Sequence, residues 1–488
     1  MSISYWQDTV KNQTNDRNQR PIPRRTDVAV VGGGIAGILI AYYLQSAGKK
    51  VVLLEAKHIL EGTTACTTAK VTSQHGLVYR DLERYFGLEF SSLYASANEE
   101  AISEYRRLIR KKKIDCDWED VNAYIYSLGD PKRVEREIES SCNAGIKAEW
   151  TDQTELPFPV TAAACFPNQG KFHPLKFLTC LAEELTIFEN IRVKEVRNQE
   201  VIWDGGALQA EDVVIATHYP FINIPGFYFL KMHQERSYVV AMEHDDHLHH
   251  HYLEESSHCS FRSHDKLLFL GGGGHRTGEH DHAVYDDLWL RAKKWFPQAR
   301  ARYFWSTQDC MTDDRLPYIG HYSLETPHLY LATGFGKWGM TNAMVAARLI
   351  SDLIINGHSP YAFLYDPGRL KISASAKQFF IDGSEVIKGL GKSIFSIGPH
   401  HIGNLENDHA KVIDHHGSLV AVYRDSNGKD TAVSGVCSHL GCAVHWNSDE
   451  KIYECPCHGS CFDAHGRLLG GPALKNLEPV ALDHLDQE

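Results

Sequence analysis

Five of the twelve cysteines crowd into a short stretch near the C-terminal end, with histidines interleaved among them. Cys437-Ser-His439-Leu-Gly-Cys442 is followed by Cys455-Pro-Cys457-His458-Gly-Ser460, and Cys461 comes next. Thiolate sulfur and imidazole nitrogen, offered from two hairpin-type loops, can converge on one metal centre. Two chemistries compete for such a set. One is tetrahedral zinc; the other is a two-iron cluster with two cysteines on one iron and two histidines on the other. The remaining seven cysteines (Cys66, Cys116, Cys142, Cys165, Cys180, Cys259 and Cys310) are scattered and read as ordinary buried thiols.

A second constellation lies near the other end. Gly32-Gly-Gly34-Ile35-Ala36-Gly37 spells G-x-G-x-x-G between a β-branched run and a helical pattern. The first glycine makes a tight turn, the second lets backbone approach a pyrophosphate, and the third allows close helix packing. The helix start then offers free N–H groups to the phosphates. Glu55, at the end of the next apolar run, can accept hydrogen bonds from a ribose. Such a unit serves FAD or NAD. A later turn, Gly334-Phe-Gly336-Lys337-Trp-Gly339, precedes another apolar helix. A helix opening near Thr341 would aim N–H groups and its positive end at a cofactor edge that gains negative charge on accepting a hydride. Gly271 to Gly274 reads as a strand end lining a substrate cavity, since no helix with a later acid follows.

The residues from Asp27 to Tyr79, with GTTACTTAKVTSQHGLVY after the acid, resemble the D-amino-acid oxidase, glycine oxidase and sarcosine oxidase superfamily. So do Met311-Thr-Asp-Asp-Arg-Leu-Pro-Tyr-Ile-Gly320 and the Gly334 to Gly339 turn, while Ser4-Tyr-Trp6 looks like the arm of its gamma-glutamylputrescine oxidase branch. The resemblance covers most of residues 4–366 and implies FAD. It implies a cofactor shell of Gly32, Gly34, Ile35, Ala36, Gly37, Glu55, Ala56, Thr63, Thr64, Thr68, Ala69, Lys70, Val193, Gly334, Gly336, Gly339, Met340 and Thr341. In the superfamily a middle β-sheet covers the flavin and supplies substrate side chains. The candidates here are Tyr238, Arg262 as a bidentate carboxylate clamp, His275 as a base, and Lys337 as a cation beside the flavin. The sequence departs from the simple oxidases at Arg315, where many members carry glycine.

The C-terminal cysteine–histidine pattern resembles the Rieske [2Fe–2S] domain. The resemblance implies Cys437, His439, Cys455 and His458 as ligands and Cys442–Cys457 as a disulfide between the loops. Gly470-Gly-Pro-Ala473 resembles the proline loop that shields the cluster. Ser460 can donate a hydrogen bond to the cluster, whereas Phe462 stands where respiratory members commonly have a tyrosine donor.

The elements that must position these groups follow from periodicity. Asp27 to Val31 and Val51 to Leu54 read as buried parallel strands around a helix ended by Gly48. Val213 to Ala216, Ser237 to Met242, Lys266 to Leu270 and Leu329 to Thr333 read as further strands. Helical patterns run over 81–113, Pro131 to Gly145 and Asn342 to Ile355. The histidine-rich stretch Glu243 to His251 reads as a solvated loop. Residues 366–400 suit a partly helical linker, and short strands with Gly, Asn and Asp turns follow.

The expected fold is an α/β, Rossmann-like FAD-binding domain of glutathione-reductase type with an inserted α+β substrate domain and a small all-β Rieske domain. The expected division is an arm at 1–24, a discontinuous FAD-binding domain at 25–95, 160–225 and 305–365, a substrate domain at 96–159 and 226–304, a linker at 366–399, and the Rieske domain at 400–488. Net charge is −12, so nothing neutralises phosphate and nucleic acid is excluded as a partner. Over half of that excess lies in 400–488, with six Lys and Arg against thirteen Asp and Glu, which suits a basic partner or serves solubility. Val28 to Leu44 is apolar enough to imitate a membrane span, but its glycines suit the nucleotide turn. The N-terminal residues are polar, and a cytoplasmic protein without a transmembrane segment is expected.

These parts together imply a dehydrogenase. An amine or amino acid passes a hydride to FAD, and electrons pass singly to the [2Fe–2S] cluster and on to an acceptor, which could be a protein. The alternatives are an electron carrier or redox sensor without a substrate, flow from cluster to flavin, and a Rieske oxygenase. The last needs a mononuclear iron that only Glu243 to His251 could hold.

Overall fold

The computed structural model describes residues 3–10, 20–245, 247–279, 283–369 and 405–482, so most of the expected linker lies outside the described residues. Two sheets carry the first 369 residues. In the first, Leu329–Thr333, Gly206–Ile215, Arg25–Val31, Val51–Leu54 and Ile187–Phe188 run parallel in that order. The β-branched runs are buried on both faces, which is what a parallel sheet needs. Tyr318–His321 closes one edge antiparallel. Helices Ile35–Ser46 and Gly339–Asn356 leave their strands through the two glycine turns and pack against each other. Gly48 and Gly357 follow them with positive φ, the conformation that ends a helix most cheaply in glycine.

The second sheet has nine strands and is mixed. Its order runs from Arg300–Thr312 through Met232–Glu243, Leu267–Arg276, Ser260–His264 and His251–Glu254 to Glu119–Ser127, Ala162–Lys171 and Lys70–Val71. Ala162–Lys171 and Lys70–Val71, expected in the FAD-binding portion, thus belong to this second sheet. The helical run expected over 81–113 is two helices, Val78–Phe86 and Leu88–Lys112, divided at Gly87 with φ 88°. The strand ending in glycines continues to Arg276, and a helix that periodicity missed, Val284–Trp295, follows.

Residues 405–482 form two four-stranded antiparallel sheets. One holds His409–His415, Ser418–Arg424, Asp430–Ser434 and Pro479–Val480; the other holds His445–Asn447, Ile452–Glu454, Cys461–Asp463 and Leu468–Gly470. Among the described residues no helix is long and apolar enough to cross a membrane.

Candidate functional site

A single cavity of about 1080 Å³ runs between the two sheets and under the C-terminal domain. Its deep end is the first glycine turn. A Cβ on Gly32 would sit 2.4 Å from the Ala216 carbonyl oxygen, and one on Gly37 would sit 1.8 Å from the Gly32 oxygen. Only glycine permits this closeness, so the backbone itself forms the cradle. Glu55 Oε2 accepts from the Gly33 N–H at 2.7 Å, which fixes the carboxylate at the end of its strand. Thr64 Oγ1 accepts from the Ile35 N–H at 3.0 Å, at the helix start where an anion would compete for that donor.

Of the expected cofactor shell, Gly32, Gly34, Ile35, Ala36, Glu55, Ala56, Thr63, Thr64, Thr68, Lys70, Val193, Gly334, Gly336, Gly339 and Met340 line this cavity. Gly37, Ala69 and Thr341 stand behind the wall: Gly37 beneath the turn, Ala69 at φ 53°, and Thr341 bonded to His75 Nε2 and the Thr72 carbonyl. Trp338, Phe335 and Tyr94 also line it and went unrecognised in the sequence, and His75, a candidate in the segment expected along the cofactor, lines it too. The His75 ring stacks on Trp338 at 4.7 Å, and burial pushes its imidazole down to about 3, so it stays neutral. Burial likewise pulls the Lys70 ammonium down to about 7, with the Arg262 charge adding to the effect. The N-terminal arm holds this wall from behind. Trp6 is fully buried and donates to the Thr67 carbonyl at 2.7 Å, while Ser4 Oγ donates to Ala65 at 2.6 Å.

The expected substrate residues separate. Tyr238 lines the cavity, and its hydroxyl accepts from Asn447 Nδ2 at 3.3 Å. Lys337 lines it as well, but its ammonium is held by Ser237 Oγ at 2.7 Å and by Asp309 and Glu235 at 3.1 Å each. Arg262 is not a carboxylate clamp. Its guanidinium lies fully buried over the Trp6 ring and donates to the carbonyls of Thr68 and Phe172. Its strand aims that side chain at the arm instead of the cavity. His275 is also off the cavity wall, stacked on Tyr238 at 5.6 Å with Nδ1 3.1 Å from the Gly273 oxygen. Arg315 pairs with Asp81 at the surface.

The cysteine–histidine loops meet at the tip of the C-terminal domain. Cys437, Cys455 and His458 are almost wholly buried, and the His439 and His458 rings lie 4.9 Å apart. Both Nδ1 atoms are buried with no hydrogen-bond partner, and the Cys437 and Cys455 thiols of the same two loops hydrogen-bond each other. Orphaned buried acceptors beside two thiols are what a two-sulfur, two-nitrogen metal set requires. The Cys437 thiol is pulled down to about 7 by hydrogen bonds from Cys455, the His439 N–H and the Ser460 hydroxyl, against the opposing effect of burial. Cys455 also lies within 4.8 Å of the sulfurs of Cys442 and Cys457. Those two are bonded to each other as a disulfide, so neither can ligate. The residues present therefore fit a [2Fe–2S] group, and the cradle around Gly32 fits a dinucleotide.

The loops face the flavin-side sheets. His439 Nε2 lies 3.0 Å from Asn223 Oδ1, and His458 Nε2 lies 3.2 Å from the Phe229 carbonyl. Gln234 Nε2 donates to the His458 carbonyl at 2.9 Å, and a Cβ on Gly459 would strike the Gln234 side chain at 2.7 Å. Behind this contact a buried ion pair joins Arg236 to Glu454 at 2.5 Å. Glu454 Oε2 also accepts from the Gly278 N–H, Asp449 from the Val284 N–H and Glu450 from the Tyr285 hydroxyl. Nothing in the local sequence signalled this docking, because Arg236 and Glu454 lie far apart along the chain.

Comparison with known proteins agrees with this geometry. Residues 27–353 match the family model described as FAD dependent oxidoreductase (DAO), and residues 400–481 match the Rieske [2Fe-2S] domain. The Rieske 2Fe-2S iron-sulfur protein YhfW of Bacillus subtilis (strain 168) is 33% identical over 476 residues, 94% of each chain. The cytochrome b6-f complex iron-sulfur subunit 1 of a Nostoc species is 49% identical over 59 residues, 12% of this chain and 31% of that one. Among solved structures, glycine oxidase from Geobacillus kaustophilus superposes with a TM-score of 0.62 at 19% identity, covering 72% of this chain and 100% of that one. L-amino acid deaminase from Proteus vulgaris superposes with a TM-score of 0.60 at 17% identity, covering 72% and 99%. The chain belongs to the FAD-dependent oxidoreductase family of the DAO type and carries a C-terminal Rieske [2Fe–2S] domain.

Proposed function

We propose that this oxidoreductase is a dehydrogenase of amines or amino acids whose electrons leave singly through its own Rieske domain to an external acceptor. The observation that carries this reading is the docking. Both ligand histidines set their Nε2 edges against Asn223 and Phe229, and the same C-terminal domain walls the cavity that holds the glycine cradle. When bound, FAD supplies a two-electron acceptor and the cluster a one-electron carrier.

The chain's own residues do the rest. Gly32, Gly34 and Glu55 hold the dinucleotide end, and Gly334, Gly336 and Gly339 bring the start of helix Gly339–Asn356 to the cavity, where its N–H groups favour negative charge. Neutral His75 and Trp338 keep that region uncharged and tightly packed. Tyr238 and Lys337 face the substrate space. Cys437, His439, Cys455 and His458 hold the cluster, with Ser460 hydrogen-bonding toward the Cys437 sulfur. The docked domain covers the cavity and limits entry of water. We infer a division close to the expected one, with 160–171 moved to the substrate sheet.

The test is an anaerobic screen of amines and amino acids on the holoenzyme, read by flavin absorbance and then by the cluster bands. The reading expects a substrate that bleaches both. If no amine, amino acid or hydroxy acid bleaches the flavin, the protein is a carrier or sensor and the reading fails.

A further inference from the structure

The substrate cavity has walls from both domains. Opposite the flavin-side turns it is lined by Glu450, Cys461, Leu469, Gly470, Gly471 and Leu474, all from the Rieske domain. Two cavity-lining cations of the adjoining sheet are already neutralised, and a third, Lys70, belongs to the expected cofactor shell. Arg236 is bound to Glu454, and Lys337 is shared between Glu235 and Asp309. The arginine that could have clamped a carboxylate, Arg262, is turned to the arm and satisfied by two carbonyls.

Glu450 is different. It is only 8% exposed, it lines the cavity, and no described residue forms an ion pair with it. Tyr285 donates its hydroxyl to Oε1 at 2.6 Å, and the Glu450 backbone N–H donates to Asn447 Oδ1 at 3.0 Å, so the carboxyl group is held in place. The other oxygen takes no hydrogen bond from a described residue. A fixed carboxylate on the cavity wall, which shares the Arg236 charge with Glu454 at longer range but forms no ion pair of its own with a described residue, can take a cation. The partner that fits is an ammonium group, which makes short charge-assisted hydrogen bonds to carboxylates.

We propose that Glu450 of the Rieske domain receives the ammonium end of the substrate, so the active site is composite and takes amines without a carboxylate near the nitrogen. This rests on the reading of the chain as an amine or amino-acid dehydrogenase and narrows it to the amines. A carboxylate-bearing substrate would meet Glu235, Asp309 and Glu450 on this side, whereas Lys70 and Arg192 line the cavity at or beside residues of the expected cofactor shell.

The test uses two isosteric probes without an α-hydrogen, tert-butylammonium and pivalate, titrated into the anaerobic holoenzyme and read by perturbation of the flavin spectrum. The wild type is expected to bind tert-butylammonium at least about tenfold more tightly than pivalate. Glu450→Gln keeps the acceptor for Tyr285 but removes the charge, and is expected to weaken tert-butylammonium by about tenfold and leave pivalate no weaker. Glu450→Asp keeps the charge at shorter reach and should fall between, which preserves the test if the first variant does not fold. Pivalate binding as tightly as the cation, no response to the cation, or an unchanged Glu450→Gln overturns the inference. Amines that bleach the flavin while the probes show no cation preference would sink this inference alone. A clear cation preference with no amine able to bleach the flavin would sink the parent reading instead.

Discussion

The Arg236–Glu454 pair lets the docking be weakened at one point. Its Nη2–Oε1 distance is 2.5 Å, and its side chains are 5% and 0% exposed. Arg236 also meets Ser306 Oγ at 2.6 Å and Cys461 Sγ at 3.6 Å, and the Glu450 carboxylate acts on its charge at longer range. Glu454→Gln removes the carboxylate that the buried guanidinium touches and leaves it the more distant Glu450 charge, and breaking such a pair costs about 3–5 kcal/mol. That converts to roughly 150- to 5000-fold in the ratio of docked to undocked Rieske domain. The remaining contacts are single hydrogen bonds worth about 1 kcal/mol each, so they cannot fully offset the loss. In anaerobic stopped flow, cluster reduction should slow at least about tenfold relative to flavin bleaching, and half-maximal bleaching should need more substrate, because Glu450 leaves the cavity together with the domain. Arg236→Met with Glu454→Leu removes both charges, and the double variant should recover most of the rate, because replacing a buried pair by apolar groups is often neutral. Two outcomes refute the reasoning: a single variant that reduces its cluster at the wild-type rate, or a double variant as slow as the single.

Three further outcomes follow. Gly37→Ala drives a methyl group against the Gly32 oxygen and should weaken FAD retention by about 5- to 150-fold, read from the flavin-to-protein absorbance ratio; full occupancy would show that the cradle is not the cofactor site. His173, at the start of helix Pro174–Ala182, is pushed down to about 4 by burial. Between pH 6.5 and 4 the unfolded chain then binds a proton that the folded chain refuses, so stability is lost as pH falls, by about 1.4 kcal/mol per pH unit from this residue. His173→Asn keeps a side-chain cap without the titration, and urea unfolding at pH 6.5 and 5 should show the slope reduced by that amount. The Cys442–Cys457 disulfide closes a loop with sequence separation 15, worth about 3 kcal/mol, and replacing both cysteines by serine should lower the Rieske unfolding transition accordingly in a thermal scan.

The glycine turns and the cluster ligands were readable because their chemistry is written within a few residues. A Gly32-to-Gly37 spacing or a Cys-x-His loop demands one local geometry wherever the rest of the chain goes. Direction across a sheet is not local. Arg262 and Tyr238 sit on neighbouring parts of one sheet, yet one points at Trp6 and the other at the cavity, which depends on strand order and register. The break at Gly87 was hidden by unbroken amphipathic spacing on both sides. Least readable was the docking, since Gln234, Arg236 and Tyr238 meet His458, Glu454 and Asn447 across roughly 200 residues of sequence.

The central claim is that electrons cross between the two cofactors inside one chain. The direct measurement is photoreduction of the flavin in anaerobic holoenzyme without any substrate, with the cluster followed by electron paramagnetic resonance over a wide range of protein concentrations. The docked histidines predict that the cluster becomes reduced with a first-order rate independent of concentration. A cluster that stays oxidised beside fully reduced flavin, or a rate that climbs in proportion to concentration, would contradict it.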